Sequence, residues 1–175
     1  MFLSDSTIKE YISNGKIEID GKYEIETTGI AIHLSHELLI PKPYQTADSK
    51  NPTDIEYVKY NLSQAPYVLK PNAFVLGSTK EILKTDRDLI TLIDGRSTYA
   101  RLGMSIHLSA MVLDGLPFNN ERSVLEIKNN GLFNILLHPG EKIGTYLFAS
   151  LTEPIKEEKD SMYENQKRVT PPKFE

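Results

Sequence analysis

Cysteine is absent from the 175 residues, so the chain can form neither a disulfide nor a thiolate zinc site. Long apolar runs are absent too; none approaches the roughly 18 residues of a membrane span, and no membrane association is expected. The opening Met1-Phe2-Leu3-Ser4-Asp5 lacks a basic segment followed by an apolar one, which argues against a secretory signal and for a cytoplasmic location. Positive charge is in deficit, with 20 Lys and Arg against 24 Asp and Glu for a net −4. That balance speaks against a general nucleic-acid binder, although a local basic patch can still hold one small anion. No internal repeat of fixed period is found.

What is present reads as one domain. A hydrophobic fraction of 39 % and a charged fraction of 25 % are those of a soluble globular protein, and the length suits one core better than two. Residues 3–15 predict a short helix, with Ser4 as N-cap, Leu3 and Ile8 as a hydrophobic staple, and Gly15 as terminator. Beyond it the period changes to two: Ile17 and Ile19, then Ile30, Ile32 and Leu34, alternate with smaller or polar residues. His33 and His36 fall there, but three positions apart on a strand they point to opposite faces, so a shared metal is not expected. Residues 41–52 are rich in turn formers and predict a surface loop. Further strands are expected over 55–62, 67–69, 73–77, 89–93, 105–113, 124–128, 132–137 and 143–151. The fold class is therefore mainly β, a barrel or jelly-roll-like sandwich with a short N-terminal helix, spanning 1–151. The charged, proline-containing tail 152–175 is expected to be mobile, or ordered only on a partner or ligand.

The densest chemistry lies in Ile93-Asp94-Gly95-Arg96-Ser97-Thr98-Tyr99-Ala100-Arg101-Leu102-Gly103. Gly95 frees the backbone for close approach, Arg96 and Arg101 are permanent cations, and Ser97 and Thr98 are small hydroxyl donors. That combination suits a phosphate ester, and equally a strand ending in a charged turn. Downstream, the alternation of Val124-Leu125-Glu126-Ile127-Lys128 places Glu126 on the face opposite Leu125 and Ile127. It is either a working carboxylate or a surface glutamate paired with Lys128 or Arg122. Arg101 has an ion-pair reading, and Ser97 a helix N-cap reading.

Taken in order, these pieces resemble the dCTP deaminase branch of the trimeric dUTPase superfamily. The resemblance is carried by Leu3-Ser4-Asp5 with its helix, by Gly95-Arg96-Ser97 followed by Ala100-Arg101-Leu102-Gly103, and by His107 to Ala110. Val124-Leu125-Glu126, His138-Pro139-Gly140 with Ile143-Gly144, and Tyr163-Glu164-Asn165-Gln166 complete it, leaving about 44–66 unmatched. It implies a distorted jelly-roll, dUTPase-like β-barrel subunit and a homotrimer with active sites between subunits. It also implies a Mg²⁺-bound triphosphate and zinc-independent hydrolysis of dCTP to dUTP, feeding dUMP and dTTP synthesis. The absence of cysteine excludes the His/Cys/Cys zinc deaminase constellation.

Carried over residue by residue, the resemblance makes Glu126 the general base. Ser97, Arg101 and the carbonyl of Ala110 would position the water and the amino group. Arg96 and Thr98 would hold phosphate oxygens, and Tyr163 and Gln166 would belong to a tail closing over the ligand. The chain departs from the pattern at Ala31, where an aspartate is common, at Met111-Val112 in place of His-Arg, in the longer segment 114–121, at Met162 and at Lys167. Two rivals follow. One is a dUTPase, alone or joined to deamination, in which Asp114 activates water for attack on phosphorus with Mg²⁺. The other is a non-catalytic nucleotide-binding relative.

Overall fold

The structure, a computed structural model, describes residues 1–48, 50, 55–114, 116–117, 120–157, 163 and 166–173. Helix α1 (Asp5–Ser13) follows the N-cap Ser4, and Leu3 and Ile8 are both buried beneath it. The Ser4 hydroxyl departs from expectation: it bonds the hydroxyls of Ser6 and Thr7 and makes no side-chain cap. Gly15, at φ +81°, turns the chain out of the helix.

Strands follow as β1 (Ile17–Asp20), β2 (Gly29–His33), β3 (Glu37–Pro41), β4 (Tyr57–Asn61), β5 (Tyr67–Leu69), β6 (Phe74–Ser78), β7 (Ile82–Thr85) and β8 (Leu89–Gly95). A single turn of helix, α2 (Ser97–Arg101), separates these from β9 (Met104–Ser105), β10 (Val112–Leu113), β11 (Val124–Asn129), β12 (Ile135–Leu137) and β13 (Lys142–Ser150). Two sheets form the body, one ordered β10-β8-β13-β2 and the other β4-β3-β6-β11-β9, with the pairs β1-β7 and β12-β5 beside them. All these pairings are antiparallel. The expected β class holds, and among the described residues the sheets form no closed barrel, as in a distorted jelly-roll. No helix among those residues is long and apolar enough to cross a membrane.

The sheets share one core. Ile30, Ile32, Ile93, Tyr146 and Phe148 from the four-stranded sheet pack in the same cluster as Leu38, Val75, Leu125 and Ile127 from the five-stranded sheet. Period-two alternation then sends the intervening residues to two outer faces pointing away from each other. Phe148 is fully buried, and its truncation to alanine costs about 3–5 kcal/mol of fold stability.

Two expectations are corrected. Strand β7 was not anticipated at all. The strand expected over 105–113 is broken: only Met104–Ser105 and Val112–Leu113 pair, and although alternation would put Ile106 and Leu108 on one face, Ile106 is buried and Leu108 is 54 % exposed. The reason is hydrogen bonding from β11, whose Glu126 donates its amide to the Ile106 carbonyl and accepts the Leu108 amide on its carboxylate.

Candidate active site

Strand β8 ends at Gly95 and delivers Arg96 as the N-cap of α2, with extended backbone angles (φ −89°, ψ 139°). Ser97 therefore occupies the first helical position and is not the cap, contrary to one of its two readings. Ser97, Thr98 and Arg101 are exposed, and Arg101 makes no ion pair among the described residues. Behind them α2 is seated tightly. Gly103 has φ +87°, and a Cβ there would come 2.5 Å from Cα of Gly131, so the helix end and the 130–131 turn touch backbone to backbone. Tyr99 anchors the inner side; burial foremost, and then the Glu141 carboxylate it hydrogen-bonds, push its hydroxyl up to about 12.

Arg96 turns to the outer face of the four-stranded sheet. Its guanidinium donates to Oε1 of Glu26 at 3.0 Å, and Oε2 of Glu26 accepts the Thr145 hydroxyl at 2.7 Å. Lys142 lies 3.6 Å from Glu26 and also hydrogen-bonds Glu24. That bond foremost holds the Glu24 carboxyl below its usual range. Asp94, Thr145 and Ala31 are cross-strand neighbours on this face. Ala31 is fully buried because residues 24–26 lie along β2, with Ala31 N–H donating to the Glu24 carbonyl.

Glu126 belongs to the other outer face. Strand register lines up Lys59, Leu39, Leu76 and Glu126 as one row across β4, β3, β6 and β11. Its backbone amide donates to the Ile106 carbonyl at 2.9 Å, and its Oε2 accepts the Leu108 amide at 2.9 Å. The surface-pair reading fails, since Lys128 donates to the Asn72 carbonyl and Arg122 to the carbonyls of Thr79 and Lys80. One carboxylate oxygen is thus fixed by a backbone donor, and Oε1 has no hydrogen-bond partner among the described residues. That geometry suits proton transfer better than structural pairing. Ala110 is exposed in the irregular stretch 106–111, and Asp114 is exposed just past β10.

The tail first passes the start of β8, where the Ile155 amide donates to the Arg87 carbonyl, and its described residues from 163 onward lie on the Glu126 face. Val169, 6 % exposed, packs on Leu39 and Leu76 with Tyr57, Phe74 and Val124 around it, worth about 1.5 kcal/mol of apolar burial. Tyr163 sits beside Tyr57, whose pKa is raised by burial and secondarily by that neighbour, and its hydroxyl accepts the Lys173 amide at 2.8 Å. The Gln166 carbonyl accepts the Arg122 amide at 2.8 Å. Arg122, Lys167, Arg168, Lys59 and His36 border a recess of about 410 Å³ with Ser78 in its lining, a basic patch on a chain of net charge −4. Met162 lies outside the described residues.

The chain therefore brings Glu126 together with Leu108 and the tail, and Arg96 together with Glu26. Among the described residues no hydrogen bond or ion pair joins Glu126 to Ser97 or Arg101. Sequence reasoning missed Glu26, Lys142, the Leu108 amide and Val169. Only Val169 left a signal, as an apolar residue in a charged tail; the others depend on contacts distant in sequence or on a backbone group.

An open, two-sheet, mainly β architecture is that of the dUTPase-like fold. Among solved structures, dCTP deaminase from Agrobacterium tumefaciens superposes with a TM-score of 0.64 at 14 % identity, over 84 % of this chain and 47 % of that one. The present chain thus spans about half of that chain's length. The EIAV dUTPase superposes with a TM-score of 0.52 at 13 % identity, over 83 % and 98 %. At such identities the likeness concerns the fold. Sequence carries it further: the family model described as "dCTP deaminase-like" matches residues 2–151, and the chain belongs to that family. It is 35 % identical to "dCTP deaminase, dUMP-forming" of Methanobrevibacter smithii, over 87 % of this chain and 81 % of the relative. It is 32 % identical to the protein of the same name from Methanothermobacter thermautotrophicus, over 95 % and 90 %, and 30 % identical to the "dCTP deaminase" of Buchnera aphidicola, over 98 % and 97 %.

Proposed function

We propose that this chain is a cytoplasmic, hydrolytic dCTP deaminase working as a homotrimer, in which the Glu126 face of one subunit meets the 96–101 turn of another. The observation that carries this reading is the placement of Glu126, held through one oxygen by the Leu108 amide with its other oxygen open, on the face away from Arg96. A second subunit supplies what one subunit keeps apart.

In this reading Glu126 removes a proton from water as the water oxygen bonds to C4 of the cytosine ring. It then returns the proton to the exocyclic nitrogen. The C4–N bond breaks, ammonia leaves, and the second water proton, on the new C4 hydroxyl, is transferred to N3 as the carbonyl of uracil forms, so that dCTP and water give dUTP and ammonia. Ser97, Arg101 and the Ala110 carbonyl orient the water and the amino group; Arg96 and Thr98 donate to phosphate oxygens. Tyr163 and Gln166 bring the tail over the triphosphate, with the basic recess on the same side. The Arg96 and Thr98 donors fit a triphosphate that carries its own Mg²⁺, which supplies charge neutralisation of the phosphates when bound.

A second reading is favoured by the printed names of the relatives, several of which are "dUMP-forming". Here dUTP stays bound and a second water, activated by Asp114, splits it to dUMP and pyrophosphate. Product analysis after incubation with dCTP or dUTP and Mg²⁺ tests both. Ammonia release with dUTP supports deamination alone, and ammonia with dUMP supports the joint reaction. Untouched dCTP with dUTP cleaved to dUMP leaves a plain dUTPase, and binding without turnover leaves a non-catalytic relative.

A further inference from the structure

We propose that Glu26 is the positioning residue for Arg96, holding its guanidinium ready for a phosphate group. The inference rests on the reading that Arg96 contacts phosphate oxygens.

Glu26 is fixed before it touches Arg96. Its amide donates to the Gly29 carbonyl at 2.8 Å, Ile25 bridges Ile30, and the Glu24 carbonyl accepts the Ala31 amide at 2.9 Å, so residues 24–26 run beside β2 as an extra edge. The carboxylate is fixed as well. Oε2 accepts the Thr145 hydroxyl at 2.7 Å, while Oε1 takes Arg96 NH1 at 3.0 Å with Lys142 Nζ 3.6 Å away. Thr145 stands between Ala31 and Asp94 in the strand register, and only a methyl group at Ala31 shares this stretch of the face, which leaves room for a carboxylate reaching in from the neighbouring segment.

The contact uses one nitrogen of the guanidinium. The remaining donors of the five-donor fork are left for an anion, and the long Arg96 side chain is ordered before the anion arrives. Lys142 offsets the Glu26 charge, so the carboxylate does not present an uncompensated negative charge to a phosphate. A carboxylate that merely plugged the Arg96 site would have the opposite effect on binding, because its removal would free the cation and tighten the complex.

The test compares Glu26→Ala, Thr145→Val, Arg96→Ala and the double variant Glu26→Ala/Arg96→Ala, measuring KM, kcat and calorimetric affinity for dCTP with Mg²⁺. Glu26→Ala is expected to weaken affinity and raise KM roughly tenfold, with kcat changed less than about twofold. Thr145→Val, which removes only the hydroxyl that anchors Oε2, shifts KM the same way by about threefold and keeps the test open if Glu26→Ala folds poorly. In the Arg96→Ala background the Glu26 change adds nothing, which a merely structural contribution would not reproduce. Arg96→Ala weakened but Glu26→Ala unchanged or tightened, or two effects that simply multiply, overturns the inference alone. An Arg96→Ala variant with unchanged affinity overturns the phosphate role of Arg96 and this inference with it.

Discussion

The two outer faces of the sandwich use the same alternation and similar strands, yet they treat their acidic residues in opposite ways. On the four-stranded sheet, Glu24 and Glu26 are tied to Lys142 and Arg96, and the outcome is a fixed, nearly neutral lattice of charges. On the five-stranded sheet, Glu126 stands in a row with Leu76 and Leu39, beside the buried Val169, with a backbone amide as its donor and no cation paired to it among the described residues. The difference teaches where chemistry can occur. A carboxylate tied to cations serves as scaffold, whereas one held by a single amide keeps an oxygen available for a proton.

The largest effect expected from breaking this contrast is at Glu126 itself. Glu126→Gln keeps the Leu108 contact but cannot take a proton, so kcat for deamination falls by about 10²–10⁴-fold while dCTP affinity changes little. Single-turnover ammonia release and calorimetry check the two halves of that statement. Next comes the apolar cover. Val169→Asp places a charge on the Leu39 and Leu76 patch and detaches the tail; KM for dCTP is expected to rise about tenfold, with Tm lowered by about 3–6 °C. Protease nicking beyond residue 157 should quicken in the same variant.

The smallest effect is on the charged face. Glu24 has an ordinary value of 4.5 and is lowered in the fold mainly by Lys142, so the folded state binds its proton less tightly than the unfolded state. Its contribution is therefore complete above about pH 4.5 and is lost as pH falls through the lowered value. Lys142→Met should lower Tm by on the order of 1–2 °C at neutral pH, and the gap from wild type should narrow in a calorimetric series as pH falls below about 4.5.

The sequence made one of these faces far more legible than the other. Alternation alone put Glu126 opposite Leu125 and Ile127, and the Gly95 to Gly103 stretch declared its strand end and helical turn through its own residues. Glu26 could not be found that way, because it meets Arg96 across 70 positions of chain. The run 105–113 misled for a related reason: its side chains alternate, but a side-chain carboxylate from β11 claims the Leu108 amide and ends the ladder. Strand β7 escaped notice and depends on pairing with β1. What periodicity reports is the face a side chain takes; which groups complete each other's hydrogen bonds is set by the tertiary fold.

The central claim is that the two faces act together only across subunits, and subunit mixing tests it most directly. Glu126→Gln and Arg101→Ala are each expected to be inactive alone. Co-assembled in equal amounts, they should regain about a quarter of wild-type dCTP deamination, since a site is whole when one subunit brings an intact Glu126 and the next an intact Arg101. Mixed assemblies that form yet stay as inactive as the parents would contradict the account.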